Sequence, residues 1–187
     1  LRRQLMQTLV SFKEELCRED FNAIPFINAD GYHSKTIAYS IWHIFRIEDI
    51  VAHTVITEDE QVFFTGNYQV RINSPIITTG NELVKQQIAD FSKQLNLEEL
   101  YSYIFEVRES TEKILERFSY DELKWKIPDE RKGYLKSLNV VNCDEKAIWL
   151  IDYWCSKDIR GLIQMPFSRH WIMHTEACLR IKNKMHS

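Results

Sequence analysis

The sequence predicts an all-α protein, and three observations carry that prediction. Apolar residues recur at helical spacing over several long segments, with charged residues between them. The chain of 187 residues contains only 5 Gly and 4 Pro, which is too few for the many turns of a sheet built from short strands. No repeat and no low-complexity stretch divides the sequence. We therefore expect residues 1–187 to form one domain.

Composition argues against several classes of protein. The formal net charge is −3 and no long run carries one sign, so we expect neither nucleic acid nor a membrane surface as a partner. No apolar run approaches the roughly 20 residues that a membrane helix needs, and no signal-peptide core follows the N-terminus. The four cysteines form neither a CxxC pair nor a dense framework. These features predict a cytoplasmic chain with reduced thiols.

The helical stretches of the first half are separated by an irregular region. A first helix is predicted at about 2–18 and a second at about 35–57, with Ser34 as its N-cap. Residues 58–80 are the least regular, and the aromatic segment QVFF at 61–64 fits a short strand or a loop. A short helix at about 82–92 follows.

The second half contains the more regular patterns. Residues 97–118 have a continuous apolar stripe and predict a long helix. A connector with Pro and Gly occupies 119–142, and Asp144 is placed to cap a helix that continues to about 164. Ser168 is the expected N-cap of the last helix, which ends near 184. Four long amphipathic helices with shorter ones between them indicate a helical bundle.

The second helix is apolar over more than half of its circumference, which is typical of a helix at the centre of a bundle. At about 100° per residue, Glu48 falls inside the apolar stripe and His43 falls on its flank. Arg46, Asp49 and His53 are expected on the opposite side, facing solvent. A buried carboxylate costs free energy unless it is paired. Glu48 is therefore expected either to orient a metal-ligating histidine or to pair with an arginine of the core.

Two histidines stand four residues apart near the C-terminus. His170 and His174 share one face of the last helix, so both imidazoles can reach a single ion. First-row metals accept imidazole, and catalytic zinc sites typically use three protein ligands and leave one position open. His43 is the candidate for the third ligand. Taken alone, the HxxxH pair and His43 each fit a structural role in the core or on the surface better than a role as metal ligands.

Residues 41–48 read IWHIFRIE, an apolar-Trp-His pattern with an acidic residue five positions after the histidine. With the later HxxxH pair and the order of the helices, this pattern resembles the DinB-like superfamily of metal-binding four-helix bundles. The resemblance implies an up-down four-helix bundle with extra short helices and long connectors. It also implies that His43, His170 and His174 bind one divalent metal ion, nickel or zinc.

The resemblance leaves two functions open. One is a metal-dependent thiol transferase, isomerase or hydrolase that uses a small-molecule substrate or a low-molecular-weight thiol and associates as a homodimer. The other is a non-catalytic metal- or ligand-binding stress or interaction protein, in which a fourth side chain closes the site. Cys178, one turn after His174, is either that fourth ligand or a buried small hydrophobe. The connectors 58–96 and 119–143 are expected to form a lid or an interface.

Overall fold

A computed structural model describes residues 1–187, and it confirms the all-helical prediction. Helices contain 69% of the residues and no strand forms. No helix combines the length and the apolar character needed to cross a membrane. Two segments are π-helical, Ile50–Thr57 and Met165–Arg169. The α-helices are α1 (Arg2–Glu15), α2 (Arg18–Asn22), α3 (Ile37–Asp49), α4 (Val62–Thr65), α5 (Tyr68–Ile72), α6 (Gln86–Gln94), α7 (Leu97–Leu115), α8 (Glu130–Ser137), α9 (Glu145–Cys155), α10 (Ile159–Gln164) and α11 (His170–Met185).

Side-chain caps place several helix ends where the sequence predicts them. Asn96 accepts a hydrogen bond from the Glu99 amide and begins α7, and Asp144 accepts one from the Lys146 amide and begins α9. The prediction of one helix from 144 to about 164 is wrong. Asp158 accepts a hydrogen bond from the Gly161 amide at 2.7 Å, which starts α10 as a separate helix.

Two predicted N-caps are incorrect. Thr36, and not Ser34, begins α3 by accepting a hydrogen bond from the Tyr39 amide at 3.0 Å. Ser168 donates its hydroxyl backward to the Ile163 carbonyl at 2.8 Å and does not cap a new helix. The chain stays helical there and widens into the π-helical turn 165–169 that contains Pro166. Proline has no N–H and its ring displaces the preceding turn, which accounts for the widening.

The hydrophobic core consists of two clusters; α3 crosses the boundary between them, and α11 begins at that boundary. Apolar residues of α3 up to Phe45 pack with α1, α6, α7 and α11. Those from Ile47 onward pack with α8, α9 and α10. Phe167 belongs to the second cluster and Trp171 to the first. His43 and His170 therefore lie close to the boundary where the first cluster meets the second.

Arg46, Asp49 and His53 are buried, so the prediction that they face solvent is wrong. The segment 61–64 is neither a strand nor a loop but mostly the short helix α4, and it covers them. The Asp49 carboxylate accepts the Val62 and Phe63 amides at 2.9 and 2.8 Å, which supplies the N-terminus of α4 with acceptors. Helical periodicity within α3 carries no information about this distant segment.

Glu48 is fully buried and holds three helices together. Arg2 of α1 donates two hydrogen bonds to its carboxylate, at 2.9 and 2.7 Å. The Trp171 indole N–H of α11 donates a third at 2.8 Å. The Arg2 guanidinium also lies over the Trp171 ring, 4.6 Å from its centroid. Of the two roles expected for Glu48, the structure shows the pairing with an arginine.

We predict that Arg2→Ala lowers the free energy of unfolding by about 3 kcal/mol, because it leaves the Glu48 carboxylate buried without its cation. The Arg2 side chain is 16% exposed and that of Glu48 is 0% exposed, so solvent replaces little of the lost interaction. Arg3→Ala, one residue away on the exposed side of α1, is the matched control and should change little. Urea denaturation measures both. Equal, small losses in the two variants would contradict the role assigned to this ion pair.

Candidate metal centre

The three candidate histidines come together between α3 and α11. His43, His170 and His174 are all buried, with exposures of 4%, 7% and 2%. Their ring centroids lie 5.0, 4.9 and 4.6 Å apart in the three pairings. One ligating atom from each residue lies within 4.8 Å of the other two. The three imidazoles are therefore close enough to bind one metal ion.

A backbone carbonyl determines which nitrogen of His43 is free. The distance from His43 Nδ1 to the Thr79 carbonyl oxygen is 2.6 Å. Because a carbonyl oxygen only accepts, Nδ1 carries the proton and donates it. The neutral ring then has its lone pair at Nε2. A hydrogen bond of this kind commonly orients histidines that bind metals.

This hydrogen bond is one of a series along α3. Tyr39, His43 and Arg46 lie on one face of the helix, and each donates to a backbone carbonyl of the connector 58–96. The three acceptors are the carbonyls of Gly80, Thr79 and Ile77. The connector therefore packs along α3 and supplies the acceptor that orients His43, which the sequence did not predict.

Gly80 permits this close packing. Its φ of +77° is in the left-handed region, and a Cβ there would lie 2.8 Å from the ring of Trp42. A larger residue would push the chain away from α3, and the neighbouring Thr79 carbonyl would move with it. The only sequence signal for this arrangement is the breaker TTGN at 78–81.

Several ring nitrogens have no partner in the protein. His170 Nδ1 and both nitrogens of His174 are buried and make no hydrogen bond. A buried polar atom without a partner costs about 1–3 kcal/mol, and such atoms are few in native proteins. Three imidazoles facing one another are a donor set that first-row divalent metals accept. The residues present therefore fit a metal ion.

Burial keeps the three rings neutral. It lowers the pKa of His43 to about 4, although the hydrogen bond to Thr79 opposes the shift. Burial also holds the pKa values of His170 and His174 well below the usual range, and the neighbouring histidines add to the effect. The neutral imidazole is the form that binds metals. At neutral pH no proton competes for these lone pairs.

A cavity of about 210 Å³ opens beside the histidines. His43 and His170 form part of its wall, and aromatic side chains form much of the remainder. These aromatic residues are Tyr32, Trp149, Tyr153 and Trp154. Sequence reasoning did not assign them to the site, although Trp149 and Tyr153 are four residues apart and therefore share one face of α9. Small molecules can therefore approach two of the three candidate ligands.

Cys178 does not join the three histidines, although it lies one turn after His174. Its side chain is buried and contacts the Ser40 hydroxyl. Burial raises the pKa of the Cys178 thiol to about 12, which favours the neutral form. Of the two readings of the sequence, the structure shows the buried small residue.

A fourth histidine, His53, forms a hydrogen-bonded chain elsewhere in the protein. His53 Nδ1 lies 2.6 Å from the Asp59 carboxylate, and Ser110 Oγ lies 3.0 Å from His53 Nε2. Ser110 is inside α7, where the surrounding amides are used by the helix itself, so no backbone donors are available to stabilise an oxyanion. The chain of contacts joins the π-helical segment 50–57 to α7, and we assign it a structural role.

Comparison of the chain with models of known protein families and with curated proteins finds no match.

In the metal-free protein, we predict that the free energy of unfolding falls steeply as the pH drops below 6.5, the ordinary pKa of histidine. Because the folded-state pKa values are lowered, the unfolded chain binds protons that the folded chain does not. The contribution of the buried histidines to stability is therefore present above pH 6.5. It is lost as the pH falls toward the folded-state pKa, which is about 4 for His43. Each histidine contributes up to about 1.4 kcal/mol per pH unit.

Urea denaturation at several pH values measures this slope. His174→Gln should reduce it, whereas His33→Gln, at a partly exposed histidine that forms no ion pair, should leave it close to that of the parent protein. A slope that is the same in His174→Gln and in the parent would show that His174 is not buried in the neutral form.

Proposed function

We propose that this chain is a DinB-like helical bundle in which His43, His170 and His174 bind one divalent metal ion, nickel or zinc. The observation that carries the proposal is the group of three buried imidazoles, with ligating atoms within 4.8 Å of one another and three nitrogens that lack partners. The helical fold and the order of the histidine-bearing helices also support it.

The choice of metal follows from the donor set. Neutral imidazole suits zinc, nickel and related ions, whereas calcium and magnesium prefer oxygen ligands. Three protein ligands leave a position for a water molecule or a substrate, as in catalytic zinc sites. No carboxylate belongs to the histidine group, which argues against the ions that prefer oxygen.

We further propose metal-dependent chemistry on a small molecule, as a thiol transferase or a hydrolase. The bound ion would supply Lewis acidity. The chain itself would orient His43 through the Thr79 carbonyl and exclude water with the aromatic wall of the cavity. Neither a carboxylate nor a lysine lines this cavity, so the protein offers no strong general base there. A thiol co-substrate fits this environment because it brings its own nucleophile.

The alternative is a non-catalytic metal- or ligand-binding stress or interaction protein. Such a site would be closed by a fourth side chain, and Cys178 was the candidate. Its thiol lies outside the histidine group, and the cavity reaches His43 and His170 from outside. Both observations favour a site that admits a substrate.

We predict that the purified, tag-free protein binds about one equivalent of zinc or nickel. His43→Ala, His170→Ala and His174→Ala should each reduce the affinity at least about 100-fold, because two imidazoles hold a divalent ion much less tightly than three. Elemental analysis after dialysis against a weak chelator measures the metal content.

His186→Ala is the matched control, since this histidine is exposed and lies near the end of the same helix. It should retain the metal. Full metal content in the His170 and His174 variants would refute the ligand assignment. Failure of the parent protein to take up added zinc or nickel would refute the proposed function.

A further inference from the structure

The cavity beside the histidines adjoins a second depression at the surface. This depression is formed by the loop 27–35, the loop 81–85 and the first turn of α9. Asn81 lines both spaces, and its side-chain oxygen is buried without a hydrogen-bond partner. Lys146 of the depression is one helical turn before Trp149 of the cavity. The two spaces therefore adjoin at Asn81, and we call them together the two-part cleft.

The outer part of the two-part cleft is basic. Lys35, Lys85 and Lys146 line it, and Asp30 is the single carboxylate among its lining residues. Glu82 follows Asn81 in the sequence, but the Thr78 hydroxyl donates to its carboxylate outside the cleft. The three lysines are not among those that form ion pairs, which are Lys13, Lys93, Lys113, Lys124, Lys132 and Lys182.

Lys35 connects this basic part to the histidines. Its ammonium lies 5.3 Å from the centroid of the Tyr39 ring, and that ring stacks on His43 at 5.3 Å. Lys35 is half-buried, and burial lowers the pKa of its ammonium without any carboxylate to oppose the effect. A partly desolvated cation without a counter-ion costs free energy, which a bound anion would recover.

We infer that the two-part cleft binds a small organic anion, with an apolar or aromatic body against the aromatic wall and a carboxylate or similar group held by Lys35, Lys85 and Lys146. This inference names the substrate class of the proposed metal site and rests on that proposal. A cavity of about 150 Å³ in another protein takes up benzene, so the 210 Å³ beside the histidines accommodates one ring.

The aromatic wall alone would also suit an organic cation through cation–π contacts. The charged groups around the cleft argue against an organic cation as the ligand. Three ammonium groups and one carboxylate leave the outer part of the cleft with a net positive charge. A divalent ion on the three histidines would add two further positive charges. A cation entering this cleft would be repelled at both ends, whereas an anion is attracted.

Two matched probes separate the anion site from the metal site. Benzohydroxamate and 4-carboxybenzohydroxamate carry the same chelating group and ring, and only the second has a carboxylate at the far end. We predict that the zinc-loaded protein binds the carboxylate probe about tenfold more tightly, a difference of about 1.4 kcal/mol. Isothermal titration calorimetry measures both affinities, and the ratio between the two probes cancels the contribution of the ion.

Lys35→Met should reduce this ratio to less than about threefold, and the triple methionine variant of Lys35, Lys85 and Lys146 should abolish it. Methionine preserves the apolar contacts of the lysine stem. Lys136→Met, which removes another unpaired and exposed lysine, is the control and should keep the parent ratio. The proposed anion site would be refuted if the parent protein bound the two probes equally. It would also be refuted if the triple variant kept the affinity ratio of the parent protein.

The same titration in metal-free protein distinguishes the two proposals. There the preference for the carboxylate probe should persist at weaker overall affinity, because the lysines remain. If zinc does not bind but this preference depends on Lys35, the metal proposal fails and the anion site stands. If zinc binds through the histidines and the ratio is one in every variant, the anion site fails and the metal proposal stands.

Discussion

The burial of three neutral imidazoles against one another is the constraint on which the rest of this structure depends. Each ring gives up hydrogen bonds to water, and His170 and His174 recover few of them from the protein. Interactions elsewhere must hold the rings in place. The Thr79 carbonyl orients His43, and the buried Glu48 joins α3 to α11 through Trp171 and to α1 through Arg2. A metal ion would bind one nitrogen of each ring, including one of the two that His174 leaves unpaired.

Local patterns predicted much of the fold. The stripe of α7 and the cap at Asp144 are short-range features, and both appear where the sequence places them. The errors arose where distant segments intervene. Asp49 looks solvent-exposed on a helical projection, yet it is buried because its carboxylate accepts the amides that begin α4. The break before α10 is local, since Asp158 caps the new helix, but helical periodicity continues across it.

The three candidate ligands could be chosen from the sequence because chemistry restricts the choice. Histidines four apart share a helix face, and the pattern around His43 resembles a known metal-binding arrangement. The surroundings of the site were not predictable in the same way. The connector at Thr79 contacts α3 only in the folded chain, and the aromatic wall on α9 depends on how two hydrophobic clusters meet. The periodicity of a single helix can place Trp149 and Tyr153 on one face of α9, but it does not show which part of the protein that face contacts.

X-ray absorption spectroscopy of the protein loaded with one equivalent of zinc tests the central claim most directly. The account predicts nitrogen neighbours at about 2.0–2.1 Å, with the multiple scattering of three imidazole rings and no sulfur. The spectrum should lose one imidazole in the His43→Ala variant. A sulfur neighbour at about 2.3 Å would instead place a cysteine in the site. That result, or fewer than three imidazoles in the parent protein, would contradict the three-histidine centre.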